Sequence, residues 1–139
     1  MIIIIDSWAW IEYFAGSAYG SIVREYLSDE YTVFTPNVVL LEIAGKYARE
    51  GFDEKETLKR LLFILKKSDI LEFDHELAVK AGKCLLELRE NAKRLRLKKE
   101  PGIVDGLLLA MARKLKGKIL TGDEHFKDLK EAIFIKETS

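Results

Sequence analysis

Apolar and polar positions follow two rhythms along this chain. Ile2–Ile5 is an unbroken run of β-branched residues that stops at Asp6. A short run of this kind suits a strand buried on both faces, as in a parallel sheet. Further short apolar runs at 31–35, 70–73, 118–121 and 133–135 read as strands. Between them the apolar residues fall at helical spacing, which predicts helices over 7–15, 19–27, 37–49, 54–67, 75–95 and 103–114, with a helical turn over 124–130. Punctuation agrees with these limits. Gly16, Gly51 and Gly117 follow helices, Pro36 sits at a helix start, and Asp53 and Asp74 are placed to cap. Strands alternating with helices predict an α/β fold: a mostly parallel central sheet flanked by helices. With no linker or repeat in view, residues 1–139 read as one domain.

Composition narrows the class. At 139 residues, 48% hydrophobic and 33% charged, the chain can bury a core without disulfides or metal staples. Cys84 is the sole cysteine, which excludes an intrachain disulfide and a cysteine-based zinc site. No apolar run approaches a membrane span, and the opening residues are too short and lack the basic start of a signal peptide. The expected location is cytoplasmic, with no membrane partner. Net charge is zero, yet residues 1–79 carry 8 Lys/Arg against 14 Asp/Glu, and residues 80–139 carry 15 against 9. The neutral total therefore hides a basic second half. The absence of Gln beside abundant Lys and Glu leans towards a thermophilic source.

Four acids stand out by their surroundings. Asp6 is the first residue past the first strand, and Asp123 lies just past the strand of "KILTGDEHF". In an open α/β sheet, ligands sit beyond the carboxyl ends of the strands. Glu42 interrupts the apolar helix "NVVLLEIAGKYA", and Asp105 falls in the first turn of "PGIVDGLLLAMA". Each has an ordinary structural reading on its own. Asp6 and Asp123 can cap the segments that follow them, Glu42 can pair with Lys46, and Asp105 suits a helix dipole. A charge among apolar residues is costly unless paired or coordinated. Together the four form an oxygen-only set that suits a hard cation.

The apolar strand ending in Asp6, Glu42 in its apolar helix, "VDGLLLAMAR" around Asp105 and "LTGDEHF" around Asp123 together resemble the PIN domain, most closely the VapC-type toxin ribonucleases of VapBC toxin–antitoxin pairs. The resemblance spans essentially the whole chain. It implies a divalent-metal-dependent endoribonuclease in which Asp6, Glu42, Asp105 and Asp123 gather on one site for Mg²⁺ or Mn²⁺. Thr121 and Ser7 would support that site. It also implies an RNA substrate, a homodimer and a small antitoxin that covers the acids. A PIN scaffold that binds RNA or serves ribosome assembly with little or no catalysis is the alternative.

The remaining chemistry is read from the residues. His75 and His125 sit at expected helix starts and read as exposed and uninvolved. The stretch "KRLRLKK", with Lys93, Arg94, Arg96, Lys98 and Lys99, is the candidate RNA track, and its counter-reading is a solvated helix end. Arg113, Lys114, Lys116 and Lys118 make a weaker second patch. Trp8, Trp10, Tyr13 and Phe14 do not share one helix face, so some rings are expected outside the core, where a partner could cover them. A dehalogenase-type phosphatase would need an acid where Trp8 stands. A receiver domain would need a phosphoacceptor that "YTVFTPN" does not supply, and no phosphate-cradling P-loop occurs.

Overall fold

The computed structural model describes residues 1–137. Five strands, β1 (Ile2–Ile5), β2 (Thr32–Pro36), β3 (Asp69–Leu71), β4 (Lys118–Thr121) and β5 (Ala132–Phe134), form one sheet in the order β3-β2-β1-β4-β5. All four pairings are parallel. Six helices flank the sheet: α1 (Ser7–Ala15), α2 (Ala18–Glu25), α3 (Asn37–Arg49), α4 (Glu54–Lys67), α5 (His75–Arg94) and α6 (Ile103–Leu115).

The isoleucine run is the middle strand. Ile4 pairs with Phe34 on one side and Ile119 on the other. Ile3, Ile4 and Ile5 are fully buried, as a strand covered on both faces requires. Each such side chain contributes about 1.5–3 kcal/mol of burial free energy. Trp10, Ile43, Leu108, Leu109, Met111, Ile119 and Phe126 complete the centre of the core. α6 lies close against α5 because Gly106 has no side chain: a Cβ there would stand 2.4 Å from the Ala81 carbonyl oxygen.

Most expected limits hold, and the departures have local causes. Ser17 starts α2 one residue early because its Oγ accepts from the Gly20 N–H at 3.0 Å. The turn over 124–130 shrinks to a 3₁₀ turn, Glu124–Phe126, after which Asp128 takes a positive φ of 68° that interrupts any helix. Asp53 and Asp74 cap α4 and α5 through the Glu56 and Leu77 N–H groups.

Topology sets where a ligand can sit. From β1 the chain steps outward through β2 to β3, then returns to lay β4 on the other side of β1. The carboxyl ends of β1 and β4 therefore flank the switch point of the sheet, where open α/β folds leave a crevice.

Candidate metal centre

Register brings the first two acids together. Ile5 pairs with Leu120, so Asp6 and Thr121 leave β1 and β4 side by side. The Thr121 hydroxyl donates to Asp6 Oδ2 and accepts from the Asp123 N–H at 2.9 Å. One threonine thus links both strand-end acids. Asp6 Oδ1 accepts from the Ala9 N–H at 2.9 Å and so caps α1. Asp123 Oδ1 accepts from the His125 N–H at 3.0 Å and caps the 3₁₀ turn. Gly122 makes the approach possible, since a Cβ there would lie 2.3 Å from the Trp8 ring.

The helical acids arrive from two more elements. Asp105 is the third residue of α6, and its Oδ2 accepts from the Gly102 N–H at 3.0 Å. Glu42 lies on α3 and is hydrogen-bonded by Ser7. Lys46 takes Glu50 as its partner at 3.4 Å, so the Glu42–Lys46 pair expected from spacing does not form. The capping readings of Asp6 and Asp123 are realised, and Asp105, expected only to suit the helix dipole, also caps α6 through the Gly102 N–H. These caps use a lone pair or one oxygen of each carboxylate and orient the remainder.

The charges of Asp105 and Asp123 bear on both Asp6 and Glu42. Burial pushes the Asp6 carboxyl up to about 8 from 3.8; hydrogen bonds from Thr121 and Ala9 oppose this, and the charges of Asp123 and Asp105 add to it. Glu42 is raised by burial first and then by the charges of Asp105 and Asp123, against the Ser7 hydrogen bond. Asp105 is raised by burial first, with Asp123 adding to the shift while Gly102, His125 and Lys99 oppose it. Among the described residues, no Lys or Arg forms an ion pair with any of the four. Crowded carboxylates that resist ionisation fit a divalent cation, which would favour their charged forms.

His125 departs from its expected place. It is only 8% exposed, because Phe126 beside it enters the core and draws the 3₁₀ turn inward. Its Nδ1 lies 3.1 Å from Asp123 Oδ1 and 3.7 Å from Asp105 Oδ2. Asp105, Asp123 and His125 offer three ligand atoms within 4.8 Å of one another. The sequence signal was the apolar residue after the histidine, which turns a surface cap into a buried one. His75 is exposed, as expected.

The basic stretch divides. Arg96, Lys98 and Lys99 line a cavity of about 560 Å³ with Trp8, Asp123, His125 and Lys136. Arg96 adopts a positive φ of 57°, which ends α5 and turns the chain towards the acids. Lys93 and Arg94 stay outside this cavity and contact Glu90 and Asp128. In the second patch, Arg113 is held by Glu87 and Glu131. Of the four N-terminal aromatics, Trp10 is fully buried and donates to Thr35 at 3.0 Å. Trp8 is half-buried at the cavity, and Tyr13 and Phe14 pack on Phe63.

Known proteins share this arrangement of elements. VapBC2 from Rickettsia felis, solved bound to a DNA fragment from its promoter, is 18% identical with a TM-score of 0.65, covering 96% of either chain. A toxin–antitoxin complex from Klebsiella pneumoniae is 12% identical with a TM-score of 0.65, covering 96% of this chain and 97% of that one. VapC20 from Mycobacterium tuberculosis, a sarcin–ricin loop cleaving toxin, is 22% identical with a TM-score of 0.63, covering 87% of this chain and 91% of that one. At such identities the likeness is one of fold. A search of curated proteins found no match. The PIN domain family model matches residues 3–132, nearly the whole chain, and on that match the protein belongs to the PIN domain family.

Proposed function

We propose that this protein is a divalent-metal-dependent endoribonuclease, the toxin of a toxin–antitoxin pair. One observation supports the reading: Asp105 and Asp123 lie close together at the switch point, their charges bear on Asp6 and Glu42, and among the described residues no Lys or Arg forms an ion pair with any of the four. Asp6, Asp105 and Asp123 would hold Mg²⁺ or Mn²⁺, with Glu42 at the rim. A divalent ion bound there would acidify a water molecule and offset the charge of a reacting phosphodiester.

The chain's own groups supply the rest. Thr121 sets the spacing of Asp6 and Asp123, and Ser7 orients Glu42. Arg96, Lys98 and Lys99 offer cations for RNA phosphates on the cavity beside the acids. The toxin assignment is supported by a toxin and a toxin–antitoxin complex of the same fold, and the same proposal carries with it a small antitoxin, a homodimer and a cytoplasmic site of action. No helix among the described residues is long and apolar enough to cross a membrane. Leu58, Leu62 and Leu65 form an exposed apolar stripe on α4, a face suited to a protein partner.

The test is thermal unfolding of the purified chain with and without Mn²⁺, beside Asp105→Asn, followed by cleavage of RNA under the same conditions. A ligand bound only by the folded state raises the melting temperature once it exceeds its Kd. The expected result is a rise lost in the variant, with cleavage that follows the metal. No rise at several-millimolar metal would overturn the metal centre and leave the RNA-binding scaffold as the better account.

A further inference from the structure

The His125 ring is fixed by its far nitrogen. Nε2 lies 2.8 Å from the Lys99 carbonyl oxygen. A carbonyl can only accept, so Nε2 carries the proton of that hydrogen bond. In the neutral ring, Nδ1 then holds a lone pair. That lone pair is buried and has no hydrogen-bond partner among the described residues. It sits beside two carboxylate oxygens, which are themselves acceptors, at 3.1 and 3.7 Å. Three electron-rich atoms so placed repel one another unless a cation lies among them.

A proton on Nδ1 would be the other way to reconcile them. The 3.1 Å contact with Asp123 Oδ1 is not a hydrogen bond, however, and that oxygen already accepts from the His125 backbone N–H. The Lys99 contact also matches the usual support of a metal-bound histidine, whose second ring nitrogen donates to a backbone carbonyl or carboxylate.

We infer that His125 Nδ1 is a metal ligand alongside Asp105 and Asp123, and that this nitrogen makes the centre select a first-row transition ion such as Mn²⁺ over Mg²⁺. The inference rests on the metal-centre reading above and adds a donor that carboxylates alone do not provide. Mg²⁺ prefers oxygen and retains its waters, whereas imidazole favours transition ions. The same contact gives the 95–102 segment a structural reason to stay beside the acids, since Lys99 supports the histidine through its backbone.

Pulsed electron paramagnetic resonance of Mn²⁺ bound to the full chain tests this. The sequence holds only two histidines, so an imidazole nitrogen signal must come from His125 or His75. Strong ¹⁴N coupling is expected in the wild type and in His75→Gln, and none in His125→Gln. Mn²⁺ affinity should fall about tenfold or more in His125→Gln, with Mg²⁺ affinity unchanged. Mn²⁺ bound without nitrogen coupling in the wild type would overturn the histidine ligand and leave an acid-only centre standing. Equal displacement of Mn²⁺ by equimolar Mg²⁺ would overturn the selectivity. No Mn²⁺ bound at all would overturn both the ligand and the metal centre. The wild-type spectrum and the His75→Gln control decide the matter even if His125→Gln fails to fold.

Discussion

Two buried carboxylates lie at opposite ends of the sheet and meet opposite surroundings. Glu131 precedes β5 at the amino end, is 8% exposed, and receives the Arg113 guanidinium at 2.9 Å. Asp6 follows β1 at the carboxyl end, is 5% exposed, and meets Asp105 and Asp123 instead. A chain with 23 Lys and Arg has cations to spare, and it spends one on Glu131. The difference teaches that the acids at the carboxyl end are not a packing accident. Where this fold buries a carboxylate for structure, it brings an arginine. Where it gathers carboxylates without one, the arrangement suits a cation from solution.

The largest effect that would break this contrast is on stability against pH. Burial pushes the native Asp6 carboxyl up to about 8 from its ordinary 3.8. The folded state therefore holds a proton that the unfolded chain has released, so stability falls as pH rises between these values. The penalty is absent below about pH 4 and complete above about pH 8, and at roughly 1.4 kcal/mol per pKa unit it reaches at most about 6 kcal/mol. Glu42 and Asp105 are shifted in the same direction. Denaturant unfolding in chelator at pH 5 and pH 8.5 should show the loss. Asp6→Asn should flatten it, and asparagine can still cap α1. A wild type whose stability does not fall over this range would mean that Asp6 ionises freely.

Next in size is the response to metal. Asp105→Asn or Asp123→Asn should leave the metal-free melting temperature equal or slightly higher, because one acid leaves a crowded group. Mn²⁺-stimulated cleavage should fall by about 100-fold or more, at least the upper cost of disturbing a supporting residue. At the other end of the sheet the signs reverse. Arg113→Met strands Glu131 and should cost about 1–3 kcal/mol. That is below the ~3–5 kcal/mol of a fully buried pair, since the Arg113 side chain is 42% exposed. Its metal-induced rise in melting temperature should match the wild type. If Arg113→Met lost the metal response, the two ends would not be independent.

Legibility in the sequence followed the range of the interactions. β1 and α1 were plain because a β-branched run, an aspartate cap and Gly16 are local signals. The placing of Asp6 beside Thr121 depended on β4 returning to β1, which strand-end position suggested and only the register of Ile5 with Leu120 made specific. Glu42 was legible as an acid in an apolar helix but not as the partner of Ser7 rather than Lys46, since helical spacing says nothing of the next element. His125 was misjudged for the same reason. Its burial comes from Phe126 in the core and from the Lys99 carbonyl, 26 positions earlier in the chain. The "KRLRLKK" stretch read as one patch, whereas the left-handed turn at Arg96 divides it.

That division gives the smallest effect and sharpens the contrast between committed and uncommitted cations. Arg113 is bound to two acids, and Lys93 and Arg94 contact Glu90 and Asp128. Among the described residues, Arg96, Lys98 and Lys99 form no ion pair, although they line the cavity that holds Asp123 and His125. Cations left unpaired beside an acidic centre can hold a polyanion there without first giving up a partner. Each single-strand phosphate contact adds about −0.7 to the slope of log affinity against log salt. Lys98→Ser with Lys99→Ser should therefore flatten the slope for a single-stranded RNA by about 1.4, measured in chelator so that no cleavage intervenes. The Lys99 backbone carbonyl is kept, so His125 retains its support. Lys93→Ser with Arg94→Ser should leave the slope close to wild type. Each of these residues loses only a surface contact, and such pairs are worth about 0–1 kcal/mol. The opposite ranking of the two double variants would place the RNA along α5 and away from the acids.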